Sequence, residues 1–329
     1  MVETFAFAEA STLDEALALL AEPGTQAIAG GTELVNWLKE GIETPDCLVD
    51  LNRVPGLDGV GGGAGELRLG ALARMSDVAA HEAVARDYPA VAEALLASAS
   101  PQLRNVATIG GNLLQRTRCP YFRAEVELAC NKRRAGTGCS ALESGEDRGL
   151  AIFGGSDRCI ATHPSDLAVA LAALDGRVET ISAGGGRTIA IADFYRLPGE
   201  TPERDTILEP GELILAVVVP ASALARQSHY LKVRERASYE FALVSAAVGV
   251  ELDGSAIRAA TVALGGVAPK PWRLAGVALE GIDVEDEAGL RAALEPDFTA
   301  ARPGQRNGFK VELARRAVVR ALKTAGGVA

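Results

Sequence analysis

Five cysteines occur in the 329 residues, and four of them, Cys119, Cys130, Cys139 and Cys159, fall within one 41-residue stretch. Thiolates are soft ligands for iron and zinc and are redox-active, so this grouping points to a metal or redox site. Ten, eight and nineteen residues separate successive members, a spacing without the CxxC hooks of zinc ribbons and small ferredoxins. Four thiolates are the number a [4Fe–4S] cluster takes. On spacing alone a zinc site, disulfides and unrelated thiols stay open, although a secreted disulfide scaffold is ordinarily shorter, with its cysteines spread along it. Gly136 and Gly138 would allow a sharp backbone path and leave N–H groups for sulfur. Cys47, in the apolar run 47–51 (CLVDL), reads as an ordinary buried thiol. His81, His163 and His229 are too scattered for a histidine metal set.

Glycine pairs form the second chemical pattern. Ala29-Gly30-Gly31-Thr32 lies between a strand-like and a helical stretch, where backbone N–H groups and the Thr32 hydroxyl could cradle a phosphate. Thr108-Ile109-Gly110-Gly111-Asn112 offers a second nest of similar composition, with Asn112 as a side-chain donor. Each pair is equally readable as a tight turn; two in one chain fit a diphosphate held from both sides. The run Gly59-Val60-Gly61-Gly62-Gly63-Ala64 formally meets the dinucleotide pattern, but a strand-like segment follows where a helix is needed, so a hairpin turn is expected. No GxxxxGK[ST] sequence occurs.

These groups need elements to position them. Thr12 and Glu15 suggest a capping box for a helix carrying Leu13, Ala16, Leu17 and Leu20 on one face. A strand at 26–29, a helix through Leu34, Trp37 and Leu38 stopped by Gly41, and a strand at 47–51 complete a small α/β unit. From residue 57 the pattern predicts a strand at 66–72, helices near 77–84 and 89–99, strand and glycine turn at 105–113, and strand-like pieces up to Pro220. A third block, 226–329, has strand-like runs at 242–251 and 257–264 and a helical tail with Leu313, Ala317 and Ala321.

With 48% apolar residues the chain can bury a core, and its net charge of −10 disfavours a general nucleic-acid binder. No apolar run approaches the ~18 residues of a membrane span. MVETFAFAEA lacks the basic start of a signal peptide, so a soluble protein is expected. Against the acidic total, Arg116, Arg118, Arg123, Lys132, Arg133 and Arg134 face only Glu125 and Glu127 between Leu113 and Cys139, a local +4. Those cations would offset a buried anionic cluster, dock an acidic electron-transfer partner, or simply lie in a solvated loop.

Four strings taken together, AIAGGTEL (27–34), ATIGGNLLQ (107–115), HPSDLAVALAAL (163–174) and KVRERASYEFALVSAAV (232–248), resemble the flavoprotein subunit of molybdenum hydroxylases, the xanthine dehydrogenase, carbon monoxide dehydrogenase and aldehyde oxidoreductase enzymes. The resemblance runs in order over essentially the whole chain. It implies an α+β fold: a two-subdomain FAD-binding unit of the vanillyl-alcohol-oxidase type (1–56 and 57–222), then a C-terminal α+β domain of the CO dehydrogenase flavoprotein type (223–329). Carried over, Ala29, Gly30, Gly31, Thr32, Glu33 and Leu34 would lie on one side of the FAD, and Thr108, Gly110, Gly111 and Asn112 on the other. Asp166 would hydrogen-bond the cofactor; it also reads as a helix N-cap after Pro164-Ser165, and the two roles can coexist. Lys232 would lie near the isoalloxazine ring, where a cation offsets the charge of reduced flavin; without the family it reads as a solvated strand residue.

In the commoner members only a few residues separate the GGN turn from the SD motif, whereas here 50 residues (113–162) intervene and hold all four clustered cysteines. Subunits with such an insert, in 4-hydroxybenzoyl-CoA reductase and bacterial periplasmic aldehyde oxidoreductase, bind an additional [4Fe–4S] cluster, and NLLQRTRCPYFR and CNKRRAGTGC look most like the latter. The resemblance therefore implies Cys119, Cys130, Cys139 and Cys159 as cluster ligands in an electron-transfer subunit. Its partners would be a molybdopterin-binding large subunit, a [2Fe–2S] small subunit and an external electron carrier. The location would be cytoplasmic, or periplasmic by co-export with a partner. The alternatives are a self-sufficient flavin oxidoreductase of the same superfamily and a non-catalytic Fe–S or zinc module.

Overall fold

Thr12 starts the first helix, Leu13–Leu20, by accepting the Glu15 N–H at 3.1 Å, and Glu15 reaches back to the Ser11 N–H and hydroxyl, both at 2.8 Å. Ala16, Leu17 and Leu20 turn inward. They join Val49 in a core beside a three-stranded parallel sheet, β1 (Ala6–Glu9), β2 (Thr25–Ile28) and β3 (Cys47–Asp50), in the order β1-β3-β2. The structure is a computed structural model that describes residues 4–63, 65–275 and 278–328. Met1, Val2 and Glu3 of the expected leaderless start, Ala64 of the glycine pattern and the final Ala329 lie outside the described residues. Ligands of parallel sheets bind beyond the carboxyl ends of the strands. There β2 gives way to Ala29-Gly30-Gly31-Thr32 before the helix Leu34–Lys39.

The second sheet is antiparallel: β4 (Val60–Gly63), β5 (Glu66–Gly70), β6 (Arg177–Ser182), β7 (Gly185–Ala190) and β8 (Leu213–Pro220), in the order β4-β5-β8-β6-β7. The glycine run is thus itself strand, with Gly62 opposite Leu67 and Gly63 opposite Glu66, and no helix follows it. Helices Met75–Ala80, Glu82–Asp87, Pro89–Ala97 and Asp166–Ala173 pack into this core. All eight residues of Asp166–Ala173 are buried.

The third sheet, β9 (Ser228–Val233), β10 (Val244–Asp253), β11 (Ala256–Gly265) and β12 (Trp272–Arg273), is also antiparallel, in the order β12-β11-β10-β9. Ala247 points to the core of the second sheet, whereas Ala246, Val248 and Val250 point to a core with helices Glu287–Phe298 and Phe309–Ala325. This period of two explains why 244–250 is buried on both faces.

Residues 105–113 differ from expectation. Instead of strand and turn they form a turn after a one-turn helix, Pro101–Arg104, and then a short helix, Ile109–Leu113, capped by the Thr108 hydroxyl on the Gly111 N–H at 3.2 Å. Two glycines weaken helix propensity, but the cap and a bond from the Gly110 N–H to the Ala71 carbonyl at 2.8 Å override it. The insertion has little regular structure beyond the helix Ser140–Ser144 and an antiparallel bridge between Cys130 and Cys139. Among the described residues no helix is long and apolar enough to cross a membrane.

Candidate functional site

A cleft of about 820 Å³ opens where the Gly30–Glu33 loop, the 111–112 turn, Asp166, Lys232 and the 236–241 loop meet. An adjoining space of about 300 Å³ shares Gly30 to Glu33 and Gly111 with it and runs on past β2 to Leu213 and Ile214. Together they bring in every non-cysteine candidate: Ala29, Leu34, Thr108 and Gly110 line the smaller space, and Asn112, Asp166 and Lys232 the larger.

The two glycine loops differ chemically. In the first, Gly31 adopts φ +68°, and a Cβ on Gly30 would sit 2.2 Å from the Val106 carbonyl oxygen. Among the described residues, the N–H groups of Gly30, Gly31, Thr32, Glu33 and Leu34 donate to no protein acceptor. Five successive open donors beside a cleft make an anion cradle. In the second loop the N–H groups of Ile109, Gly110, Gly111 and Asn112 donate to Ala73, Ala71, Thr108 Oγ1 and Thr108 respectively. Asn112 is turned inward: its Oδ1 accepts the Ser165 hydroxyl at 2.6 Å and its Nδ2 points to Met75 Sδ at 3.5 Å. The second loop therefore braces the cleft, and the first presents the donors.

Ser165, not Asp166, caps the helix Asp166–Ala173, accepting the Ala168 N–H at 3.0 Å. That frees the Asp166 carboxylate for a buried network with Lys232 Nζ at 2.7 Å, the Ser98 hydroxyl at 2.8 Å and the Tyr230 hydroxyl. Burial, with Asp166 beside it, holds the Tyr230 phenol well above its usual pKa. Lys232, paired on β9, is no solvated strand residue: its side chain is 4% exposed. Its Nζ also donates to the Ala97 carbonyl at 3.2 Å. Ser98, Tyr230 and Phe241 are not singled out by the sequence, and Arg118 and Arg123, read there only as cations of the insertion, also line the cleft. Tyr239, at φ +55°, also lines the cleft, a backbone state that functional sites tend to retain.

Cys119, Cys130, Cys139 and Cys159 line one cavity of about 10 Å³ together with Lys132. Cys139 is half-buried, as is Cys47, which lies elsewhere on β3; the other three are buried. All are free thiols. Burial pushes the Cys119 thiol up to about 12, against the backbone N–H groups of Phe122 and Tyr121, which favour the thiolate. Cys159 is likewise pushed up by burial, with Lys132 pulling the other way and the Ala161 N–H 3.5 Å from its sulfur. Gly136 and Gly138 adopt φ +80° and +94°, and Asn131 closes the loop by accepting the Gly138 N–H at 3.0 Å. Among the described residues no three of His, Cys, Asp and Glu form a set for a single metal ion.

Most of the cations between Leu113 and Cys139 are held in internal pairs rather than solvated, Arg134 being the exposed exception. Lys132, 6% exposed, pairs with Asp205 at 2.5 Å; Arg116 pairs with Glu43 and Asp205; Arg118 and Arg123 pair with Glu33. Arg133 donates to the carbonyls of Ala124 and Glu40, and Arg134 pairs with Glu127. Burial opposes the Asp205 charge, but Lys132 and Arg116 outweigh it and hold its pKa below the ordinary value.

The chain as a whole is similar to known proteins. The family model for the FAD binding domain in molybdopterin dehydrogenase matches residues 3–222, and that for the CO dehydrogenase flavoprotein C-terminal domain matches 228–325. The chain is 50% identical to the aldehyde oxidoreductase FAD-binding subunit PaoB of Escherichia coli (strain K12), over 98% of this chain and 99% of that one. It is 28% identical to the glyceraldehyde dehydrogenase medium chain of Sulfolobus acidocaldarius, over 82% of this chain and 78% of that one. Among solved structures, quinoline 2-oxidoreductase from Pseudomonas putida 86 matches at a TM-score of 0.76 and 25% identity, over 100% of this chain and 99% of that one.

Proposed function

The chain belongs to the FAD-binding medium subunits of the molybdenum hydroxylase family, and on that footing we propose that it is the FAD- and [4Fe–4S]-binding electron-transfer subunit of a molybdenum-dependent aldehyde oxidoreductase. Residues 1–56 and 57–222 form the FAD-binding unit in this reading and 223–329 the C-terminal domain. The observation that carries it is the run of five open N–H donors, Gly30 to Glu33 beside the cleft of about 820 Å³ and Leu34 beside the adjoining space. When bound, the flavin exchanges electron pairs for single electrons, and a [4Fe–4S] cluster passes them singly.

The N–H groups of Gly30 to Leu34 bind the pyrophosphate, and Thr108, Gly110, Gly111 and Asn112 shape the opposite wall. Lys232 places a cation against the cleft, fixed there by Asp166. Cys119, Cys130, Cys139 and Cys159 fit a cluster by donor chemistry: four thiols line one cavity, N–H groups approach two of the sulfurs, and Lys132 offsets negative charge. A molybdopterin-binding large subunit, where the substrate is oxidised, and a [2Fe–2S] small subunit complete the enzyme, with an external carrier as acceptor.

Anaerobic purification followed by flavin, iron and sulfide analysis tests the reading. Flavin with about four irons per chain is expected. Flavin without iron removes the cluster and leaves the FAD assignment. Zinc without flavin refutes both.

A further inference from the structure

The two ends of Glu33 face different sites. Its backbone N–H belongs to the open run beside the cleft, while its carboxylate is turned into the insertion. There it takes both terminal nitrogens of Arg118, at 2.7 and 2.8 Å, an ion pair from Arg123, and the Arg116 N–H at 3.3 Å. Its side chain is only 15% exposed, so water screens these contacts little.

The same arginines bracket the turn that carries Cys119. The Arg123 N–H donates to the Cys119 carbonyl at 3.1 Å, Arg123 Nε donates to the Thr117 carbonyl at 3.0 Å, and the Thr117 hydroxyl accepts the Cys119 N–H at 3.2 Å. Arg118 lines the cleft, whereas its chain neighbour Cys119 lines the thiol cavity. Consecutive residues of the chain thus line the two spaces.

We infer that the Glu33–Arg118 pair is a positioning device that makes occupancy of the cleft register at Cys119. An anionic group on the Gly30–Leu34 donors orders the backbone of Glu33, and the two-pronged bond carries that constraint to the cysteine turn. A guanidinium fork fixes angle as well as distance, which a lysine ammonium does not. The inference rests on the proposed FAD and cluster sites and adds the residues that couple them.

The test compares the full chain with its R118Q and R118K variants, each with FAD bound and after FAD removal. The readouts are the midpoint potential and electron paramagnetic resonance spectrum of the reduced cluster, and amide hydrogen exchange over residues 117–123. In the unaltered chain FAD removal should shift potential and spectrum and speed exchange at 117–123 by at least about fivefold. R118Q should lose that FAD dependence, and R118K should behave like R118Q; if R118Q does not fold, R118K decides. Indifference of the unaltered chain to FAD overturns the inference, and so does a full response in either variant. If the protein holds FAD but no iron, the cluster reading fails and the exchange comparison still decides the coupling. If it binds no FAD, both fall.

Discussion

His163 is half-buried, its ring centroid 4.3 Å from that of Tyr195 and its Nδ1 accepting the Ser165 N–H at 3.3 Å. No partner is placed for its Nε2 among the described residues. Burial holds the imidazole neutral, drawing its pKa from 6.5 down to about 3, with Asp205 opposing that shift and Lys132 and Arg118 assisting it. Between about pH 6.5 and 3 the unfolded chain binds the proton and the folded one does not, so stability falls as pH falls through that window. The full shift is worth about 5 kcal/mol below pH 3, of which about 2 kcal/mol is lost by pH 5. At roughly 2–4 °C per kcal/mol, or a little less at this length, the melting temperature should drop by about 4–8 °C from this group alone. H163N isolates it: the amide oxygen can still accept the Ser165 N–H, while the lost ring contact costs about 1–3 kcal/mol at every pH. Thermal unfolding at pH 7 and pH 5 should therefore give H163N a lower melting temperature at pH 7 but a smaller acid-induced drop. Equal drops in the two proteins would refute the argument.

G30A should be worse than G31A: its Cβ meets a backbone carbonyl at 2.2 Å, whereas Gly31 requires a left-handed φ costing about 1–2 kcal/mol and finds Val35 Cγ2 at 3.3 Å. FAD retained after gel filtration should be about tenfold lower for G30A and measurably reduced for G31A. K232M leaves the Asp166 carboxylate buried without its cation, at a cost of about 3–5 kcal/mol in denaturant unfolding, part of which K232M/D166N should restore. Lys310 is buried against the carbonyls of Leu150 and Gly266, and burial pulls its pKa down to about 7. Between about pH 7 and 10.5 the unfolded state binds the extra proton, so stability rises with pH, by about 2 kcal/mol from pH 7 to 9; K310M should flatten that rise. C130S should lower iron per chain, and an unchanged iron content would remove Cys130 from the ligand set.

Local signals carried far into the structure. Thr12 with Glu15 foretold the first cap, and Gly41 closes the second helix at φ +62° as its position suggests. Four thiols near one another in sequence do line one cavity. What sequence could not weigh was long-range pairing. The +4 of the insertion is real as a local count, yet its carboxylates come from Glu33, Glu40, Glu43 and Asp205, some 70 to 90 residues away. The difference between the two glycine loops was hidden for a related reason: whether a donor is open depends on acceptors at Ala71 and Ala73, far from either glycine pair. Thr108 three residues before Gly111 is a readable cap signal, outweighed at first by the glycines.

The insertion is fastened from further along the chain: Asp205 holds Lys132 and Arg116, while Asn307 and Lys310 hold the Leu150 carbonyl. Translation proceeds from the N-terminus at about 5–20 residues per second. About 10–40 s therefore elapse between the emergence of Cys119 and that of Lys310. During that interval the segment that carries the thiols already has its upstream partners Glu33, Glu40 and Glu43, gains Asp205 on the way, and still lacks Asn307 and Lys310. The order of synthesis thus leaves the segment without its last latches until the C-terminal helix has been made, and that helix fastens it.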